Sequence, residues 1–302
     1  MSGAAVVLLA SVIAAGSFFA WRWFDRARDA RSRGVSLRPD SVCLSLGFVT
    51  NFFDTLGIGS FAPTSAFLKL RRTTADELIP GTLNVGHALP VIAQALIFVG
   101  SIAVEPVTLV SMVGAAVIGA WLGAGVVSTL PRRAIQVGMG VALTSAALVF
   151  ILVNLELLPG GGHALQLSGI SLVIAVSLNF IFGALVTLGV GMYAPCLILV
   201  SLLGMNPIAA FPIMMGSCAL LMPVAGVKFL QSARYDMRVS LGLALGGIPA
   251  VLVAGLLVRS LPLEGLRWLV VLVVMYAAAA MLRSAFSSQA EPAAPAPARK
   301  AT

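Results

Sequence analysis

The stretch that decides the fold is TLGIGSFAP at Thr55–Pro63, because TLGVGMYAP at Thr187–Pro195 repeats it 132 positions later. Each copy places two glycines and a proline beside long apolar runs. Glycine adopts φ > 0 and lets other groups approach the backbone, whereas proline near a helix start has no N–H to leave unpaired. Each copy therefore predicts a helix that breaks and restarts.

The composition is that of a membrane protein. Of the 302 residues, 59% are hydrophobic and 10% are charged, whereas a soluble domain carries about 25% charged residues. A spanning helix needs about 20 apolar residues, so we expect an all-α polytopic membrane protein, multi-pass in the cell inner (plasma) membrane. The apolar runs are Ala4–Ala20, Leu78–Val104, Val107–Leu130, Ala134–Leu155, Ser168–Leu188, Pro207–Val227, Val239–Val258 and Leu266–Leu282.

The duplication extends beyond the nine residues. STLPRRAI at 128–135 aligns with RSLPLEGL at 259–266, and glycine-rich runs precede both. The chain therefore divides into transmembrane repeat 1 at 41–157 and transmembrane repeat 2 at 167–286, each with four apolar segments. Repeats of this kind are common in secondary transporters. The remaining units are an N-terminal transmembrane helix at 1–24, a cytoplasmic basic linker at 25–40, an outer loop at 158–166 and a disordered tail at 287–302.

The basic residues predict the topology. The arginines follow the first apolar run, unlike those of a cleaved signal peptide, so this helix is expected to be retained with its N-terminus outside. If the segments that carry the repeated motif cross the membrane, 12 of the 19 basic residues lie inside; if each folds back to its own side, 17 do. The positive-inside rule favours re-entrant first segments, two inverted-topology repeats and a cytoplasmic C-terminus. Ser168–Leu188 is long enough to cross unaided, so a single bent span remains the alternative.

A helix N-terminus suits an anion because its N–H groups are free and its dipole is positive. Our hypothesis is that the two breaks form a cradle for a small anion; the alternative is that the glycines only allow tight helix packing. The predicted substrate-binding residues are Thr55, Gly57, Gly59, Pro63, Thr64, Asn84, Thr187, Gly189, Gly191, Tyr193, Pro195, Cys196 and Ser217.

Two ionisable residues at membrane depth are candidates for proton coupling, because such groups are rare there and usually functional. Asp54 lies just before the first break, and the second repeat has Val186 at that position. The alternative role for Asp54 is a helix cap or a partner for a basic residue. His87 lies in an apolar run and either relays protons or is simply hydrogen-bonded.

The chain resembles the sulfite exporter TauE/SafE family of membrane permeases. The resemblance rests on the duplicated break, on GAWLGAGVVSTLPRRAIQVGMGVALTSAAL at Gly119–Leu148 and on the similar pattern at Gly246–Arg283. It implies secondary transport, import or export, of a small anion such as sulfite or a sulfonate. At Phe61 and Tyr193 the chain departs from the longer glycine run of many family members, so the anion itself stays open.

Other functions remain as alternatives. An anion channel could have the same architecture, and a non-transporting membrane scaffold is the least specific possibility. We predict no enzyme, because the sequence shows no HExxH, GxSG or catalytic carboxylate pair. We also predict no cofactor, metal or nucleic-acid partner: the net charge of +8 lies in short clusters between apolar runs, and Cys43, Cys196 and Cys218 lie in apolar segments. The expected partners are a small anion, coupling protons and the lipid bilayer; the sequence does not give the oligomeric state.

Overall fold

The chain folds into helices joined by short loops. The computed structural model describes residues 3–34, 36–127, 162–187 and 191–260, with scattered residues at 137–155 and 268–283. The predicted helices at 134–155 and 266–282 and the predicted tail lie largely outside these residues. The helices are α1 Gly3–Ser32, α2 Ser41–Thr55, α3 Phe61–Arg71, α4 Ile79–Gly86, α5 Ala88–Phe98, α6 Pro106–Val127, α7 Gly169–Val186, α8 Tyr193–Leu202, α9 Ala210–Ser232 and α10 Met237–Ser260.

Within the described residues, five segments are long and apolar enough to cross a membrane, by length and composition. Their large apolar side chains also lie on the outside, as lipid-facing surfaces require: Ile170 and Leu256 are each 72% exposed. The architecture is therefore helical and compatible with a membrane protein, as the composition predicts. The five segments are Gly3–Ser32, Ile79–Phe98, Gly169–Val186, Pro207–Ser232 and Met237–Leu257.

The first helix is longer than the sequence analysis predicts. The transmembrane helix was expected to end at residue 24, but α1 continues to Ser32. The basic stretch after Phe24 contains alanines and arginines, which favour helix, and Arg33 forms an ion pair with Asp29 one turn earlier. Only residues 33–40 therefore remain for the predicted linker.

The same order of local structure occurs in both halves. A long helix, a break, a short helix, a 3-10 turn and a further helix follow one another from α2 to α5 and again from α7 to α9. The details repeat at an offset of 132: Arg72 and Gly204 both have positive φ after the short helix. The backbone N–H groups of Thr73 and Met205 then donate to Leu68 O and Val200 O respectively. The duplicated sequence thus produces duplicated local structure.

The connections fall into two groups, one at each end of the bundle. At the basic end, Thr74 Oγ1 donates to Asp236 Oδ2, and Arg238 pairs with Asp40. These contacts bring together the segment before α2, the segment after α3 and the connection between α9 and α10. The α2–α3 unit therefore begins and finishes at the same end of the bundle.

The other end joins the segments that flank the second break. Asn206 N donates to Ala164 O, so the chain after α8 lies beside the chain before α7. Glu105 N donates to Leu165 O, which adds the connection before α6 to this group. The stretches 99–107, 162–168 and 203–209 carry no Lys or Arg. The charge asymmetry between the two ends follows the positive-inside pattern.

Glycines allow two helix pairs to pack backbone against backbone. On α2, a Cβ at Gly47 would lie 2.6 Å from Leu243 O of α10. On α7, a Cβ at Gly183 would collide with Ala116 O of α6. Small residues at a helix contact let the axes approach closely in a membrane. The first helix of each half is therefore fixed against α6 or α10 of the other half.

Candidate functional site

Two glycines set the backbone conformation of the first break, and a carboxylate forms a hydrogen bond across it. Helix α2 ends at Thr55 and α3 begins at Phe61, as the motif predicts. Gly57 and Gly59 lie between them with φ of 95° and 87°, a region that L side chains rarely adopt. Asp54 Oδ1 accepts a hydrogen bond of 2.5 Å from Ser60 N, the residue that precedes α3. The carboxylate of Asp54 is therefore held beside the N-terminus of α3, where the positive end of the helix dipole favours a negative charge.

A buried hydrogen-bond network extends from this carboxylate to the second half. Gln94 Nε2 donates to Asp54 Oδ2 at 2.8 Å and lies 3.0 Å from Thr55 Oγ1. The hydroxyl of Tyr193 donates to Gln94 Oε1 at 2.6 Å. Gln94 and Thr55 are fully buried, and Asp54 and Tyr193 are nearly so. Tyr193 is the first residue of α8, so one amide links the two breaks.

The second break has no equivalent carboxylate. Helix α7 ends at Val186 and α8 begins at Tyr193, which confirms the predicted interruption. Gly191 precedes α8, and a Cβ there would meet no atom within 4 Å. Gly189, a predicted binding residue, lies outside the described residues. At the position that matches Asp54, the second half has the apolar Val186, which lines the same cavity as Met192 and Tyr193.

Both breaks line one small cavity. Its volume is about 20 Å³, measured as space for the centre of a water-sized sphere, which is room for a water molecule. An anion with several oxygens therefore requires side chains to move. Three predicted binding residues, Gly59, Gly191 and Tyr193, line the cavity together with Asp54, a candidate for proton coupling. The rest of the wall is formed by Ser60, Phe61, Val91, Val186, Met192, Cys218 and Met222.

His87 forms a separate polar junction. Its ring nitrogens lie 3.0 Å from Asn51 Oδ1 and 3.2 Å from Thr64 Oγ1. It occupies the interruption between α4 and α5 and is fully buried. The imidazole therefore ties α2 and α3 to the kinked span, and it does not line the cavity.

The remaining predicted binding residues lie outside the cavity wall. Gly57 shapes the first break, and Thr64 contacts His87. Thr187 Oγ1 donates to Ala184 O, and its side chain lines a second, larger cavity. Thr55 is in the network without lining the cavity. Pro63 is partly buried in α3, and Pro195 and Cys196 are buried in α8.

Two buried amides keep an oxygen without a hydrogen-bond donor among the described residues: Asn84 Oδ1 and Asn179 Oδ1. The Asn84 amide nitrogen donates to Pro80 O within its own helix. The Asn179 amide nitrogen donates to Met112 O at 2.7 Å and lies 3.4 Å from Ser217 Oγ. Asn84 and Ser217, both predicted as binding residues, are therefore buried away from the cavity that both breaks share.

Comparison with known proteins leaves the family open. No family model, curated protein or solved structure matches the chain. Within the described residues, no group of three His, Cys, Asp or Glu side chains is placed to hold a metal ion.

The site contains residues that the sequence analysis did not select. Gln94 makes three of the central contacts, and Ser60 supplies the N–H that binds Asp54. Gln94 had one sequence signal, since it is a polar residue inside an apolar run. Such residues are usually retained for a hydrogen-bonding or functional role in membranes.

Proposed function

We propose that the chain is a secondary transporter, or permease, that moves a small anion by alternating access. The observation that carries this proposal is the single cavity lined by both breaks, with Gly59 from one half and Gly191 from the other. Irregular backbone at membrane depth is tolerated only where protein buries it or where it lines a cavity. The resemblance to the TauE/SafE permeases supplies the substrate class, a sulfite-like or organic anion.

The proposed architecture is a pair of inverted repeats. It is supported by the loop contacts, because the α2–α3 unit begins and ends at the basic end and the α7–α8 unit at the opposite end. The exchanged packing of α2 on α10 and of α6 on α7 is also what a two-fold relation between halves produces. Transporters of this plan place their substrate between the repeats, near the bilayer midplane.

Asp54 is the proposed proton-coupling residue. Its carboxylate lines the cavity in which the anion would bind. Two unit charges of the same sign about 5 Å apart repel by about 3 kcal/mol at an effective dielectric constant of about 20. Binding of the anion is therefore linked to protonation of Asp54, so a proton accompanies the anion. His87 does not line this cavity, so a role in positioning α2 and α3 through its hydrogen bonds suits it better than proton coupling.

A carrier fits the site better than a channel or a scaffold. In this conformation the cavity has room for about one water molecule, whereas a channel needs a continuous ion path. A scaffold needs no pair of interrupted segments, and it needs no buried carboxylate such as Asp54 at one of the interruptions.

The proposed function is tested by a substitution that places a larger side chain in the cavity without straining the backbone. Gly191→Leu is the variant of choice, because Gly191 has open space around its Cβ position, whereas Gly59 has positive φ. Proteoliposomes are challenged on a solid-supported membrane with sulfite, thiosulfate, sulfoacetate and acetate, and the transport current is recorded. We expect Gly191→Leu to abolish the current that the wild type shows with at least one of these anions.

The matched control is Gly114→Leu, since Gly114 of α6 also has no atom within 4 Å of its Cβ position. This variant should retain the wild-type current and a similar yield of folded protein. Undiminished current in well-folded Gly191→Leu would remove the cavity from the transport path. No current from the wild type with any of the four anions would reject the substrate class.

A further inference from the structure

A second cavity lies between α6, the end of α7 and α9. Its volume is about 350 Å³, measured as space for the centre of a water-sized sphere, which is within the range of small-molecule sites. Two basic side chains, Lys228 and Arg234, line it together with the hydroxyl-bearing Ser232 and Thr187. Most of the remaining wall is apolar and includes Trp121. The cavity thus combines positive charge with an apolar surface.

The positive charges of this cavity are not neutralised within the described part of the chain. Neither Lys228 nor Arg234 forms an ion pair with a carboxylate there. Both side chains are exposed, whereas Arg238 a few residues later pairs with Asp40. A recess lined by charge of one sign raises the local concentration of the opposite ion.

Neighbouring residues line this cavity and the small cavity between the breaks. Thr187 lines the large cavity, and its neighbour Val186 lines the small one. On α9, Leu221 lines the large cavity and Met222 the small one. The two cavities therefore share the end of α7 and the middle of α9 as part of their walls.

We infer that the large cavity is an access site that binds an organic anion at the basic end of the bundle before it passes to the breaks. Lys228 and Arg234 hold the anionic group, and the apolar wall with Trp121 contacts the carbon skeleton. This inference rests on the proposed transport function and narrows its substrate class. An alkyl sulfonate or carboxylate fits such a wall better than a bare inorganic ion, which would leave the apolar surface uncovered.

Trp121 provides a direct readout of binding. The probe is 2-bromoethanesulfonate, an anion whose bromine quenches tryptophan fluorescence on contact, and 2-bromoethanol is its neutral counterpart. Purified protein in uncharged detergent is titrated with each probe, and the difference between wild type and Trp121→Phe isolates the Trp121 signal. We expect saturable quenching by the sulfonate and only weak, linear quenching by the alcohol.

The charged side chains are tested by Lys228→Gln combined with Arg234→Gln. This double variant should bind the sulfonate about tenfold more weakly. Arg28→Gln is the matched control, because Arg28 is an exposed cation on α1 outside the cavity. Equal affinity in the double variant and the control would overturn the inference, as would equal quenching by the two probes.

Two further experiments distinguish an anion site from a lipid site and the binding of the sulfonate from its transport. Brominated phosphatidylglycerol that quenches Trp121 and displaces the sulfonate would make the cavity a lipid-headgroup site and overturn the access role. Flux of the sulfonate in proteoliposomes tests the proposed function separately. Binding without flux would reject transport and leave the anion site standing, whereas flux with undiminished binding by the double variant would reject the site and leave transport standing.

Discussion

Gln94 forms hydrogen bonds to residues of both halves of the site. The loss of stability on replacing it can therefore be worked out from the structure. Gln94→Leu deletes the donors to Asp54 Oδ2 and Thr55 Oγ1 and the acceptor of the Tyr193 hydroxyl. The Asp54 oxygen and the Tyr193 hydroxyl then stay buried without partners. Each such group costs about 1–3 kcal/mol, so we expect the free energy of unfolding to fall by about 2–6 kcal/mol.

A double-mutant cycle separates the hydrogen bond from the general effect of the substitution. Tyr193→Phe alone removes one buried hydrogen bond and should cost about 1 kcal/mol, within the range of such bonds in membrane proteins. In the Gln94→Leu background the same change should recover about 1–3 kcal/mol, because it removes a buried hydroxyl that has lost its acceptor. The predicted coupling between the two positions is therefore about 2–4 kcal/mol.

Both quantities are measured by unfolding the purified protein with SDS in mixed micelles, followed by tryptophan fluorescence. Gln231→Leu is the control, since Gln231 is exposed at the end of α9, and surface changes usually lie within about 0.5 kcal/mol of wild type. A Gln94→Leu variant as stable as this control, or strictly additive costs at the two positions, would refute the network.

Three further predictions address coupling, topology and a helix cap. Asp54→Asn should leave an anion flux that no longer responds to an imposed pH gradient; a retained response would exclude Asp54 as the coupling residue. Leu70 is 85% exposed after the first break, so Leu70→Cys should react with an impermeant maleimide from the cytoplasm, and labelling from outside would favour the single bent span. Asp40→Ala removes the cap of α2 and should cost about 1 kcal/mol at neutral pH. Hydrogen bonds from the thiol and N–H of Cys43 hold the pKa of Asp40 below its ordinary 3.8. The difference should thus persist on acidification to about pH 4 and vanish only as the pH falls through this lowered pKa; loss of the difference between pH 7 and 5 would contradict it.

The breaks were predictable because their cause is local. Gly57 and Gly59 adopt the positive φ that their sequence permits, and each new helix begins where the motif indicates. Among the described residues, the basic segments before α2, after α3 and between α9 and α10 meet at one end of the bundle, as their charge predicted. By contrast, the predicted end of the first helix lies before the observed end of α1. The apolar residues end near residue 24, whereas residues with high helix propensity continue to Ser32.

The network was not predictable, because it depends on how distant helices meet. Gln94 lies 40 residues from Asp54 and 99 residues from Tyr193 along the chain, and only the packed fold brings them together. The sequence symmetry does not carry over to the contacts of Thr187, which matches Thr55 in the repeat. Its hydroxyl bonds back to Ala184 O, and its side chain lines the larger cavity instead of joining the network.

The claim that a small anion passes between the two breaks is tested most directly by chemical access to their walls. Ser60→Cys and Met192→Cys, each made with Cys218→Ala, place a thiol in the wall of the small cavity, one at each break. Proteoliposomes are treated with methanethiosulfonate ethylsulfonate, a small sulfonate reagent that does not cross lipid. We predict modification at both positions from either side of the membrane, faster than by a cationic analogue and slowed by the transported anion. Thiols at both positions that stay unreactive from both sides would contradict the account.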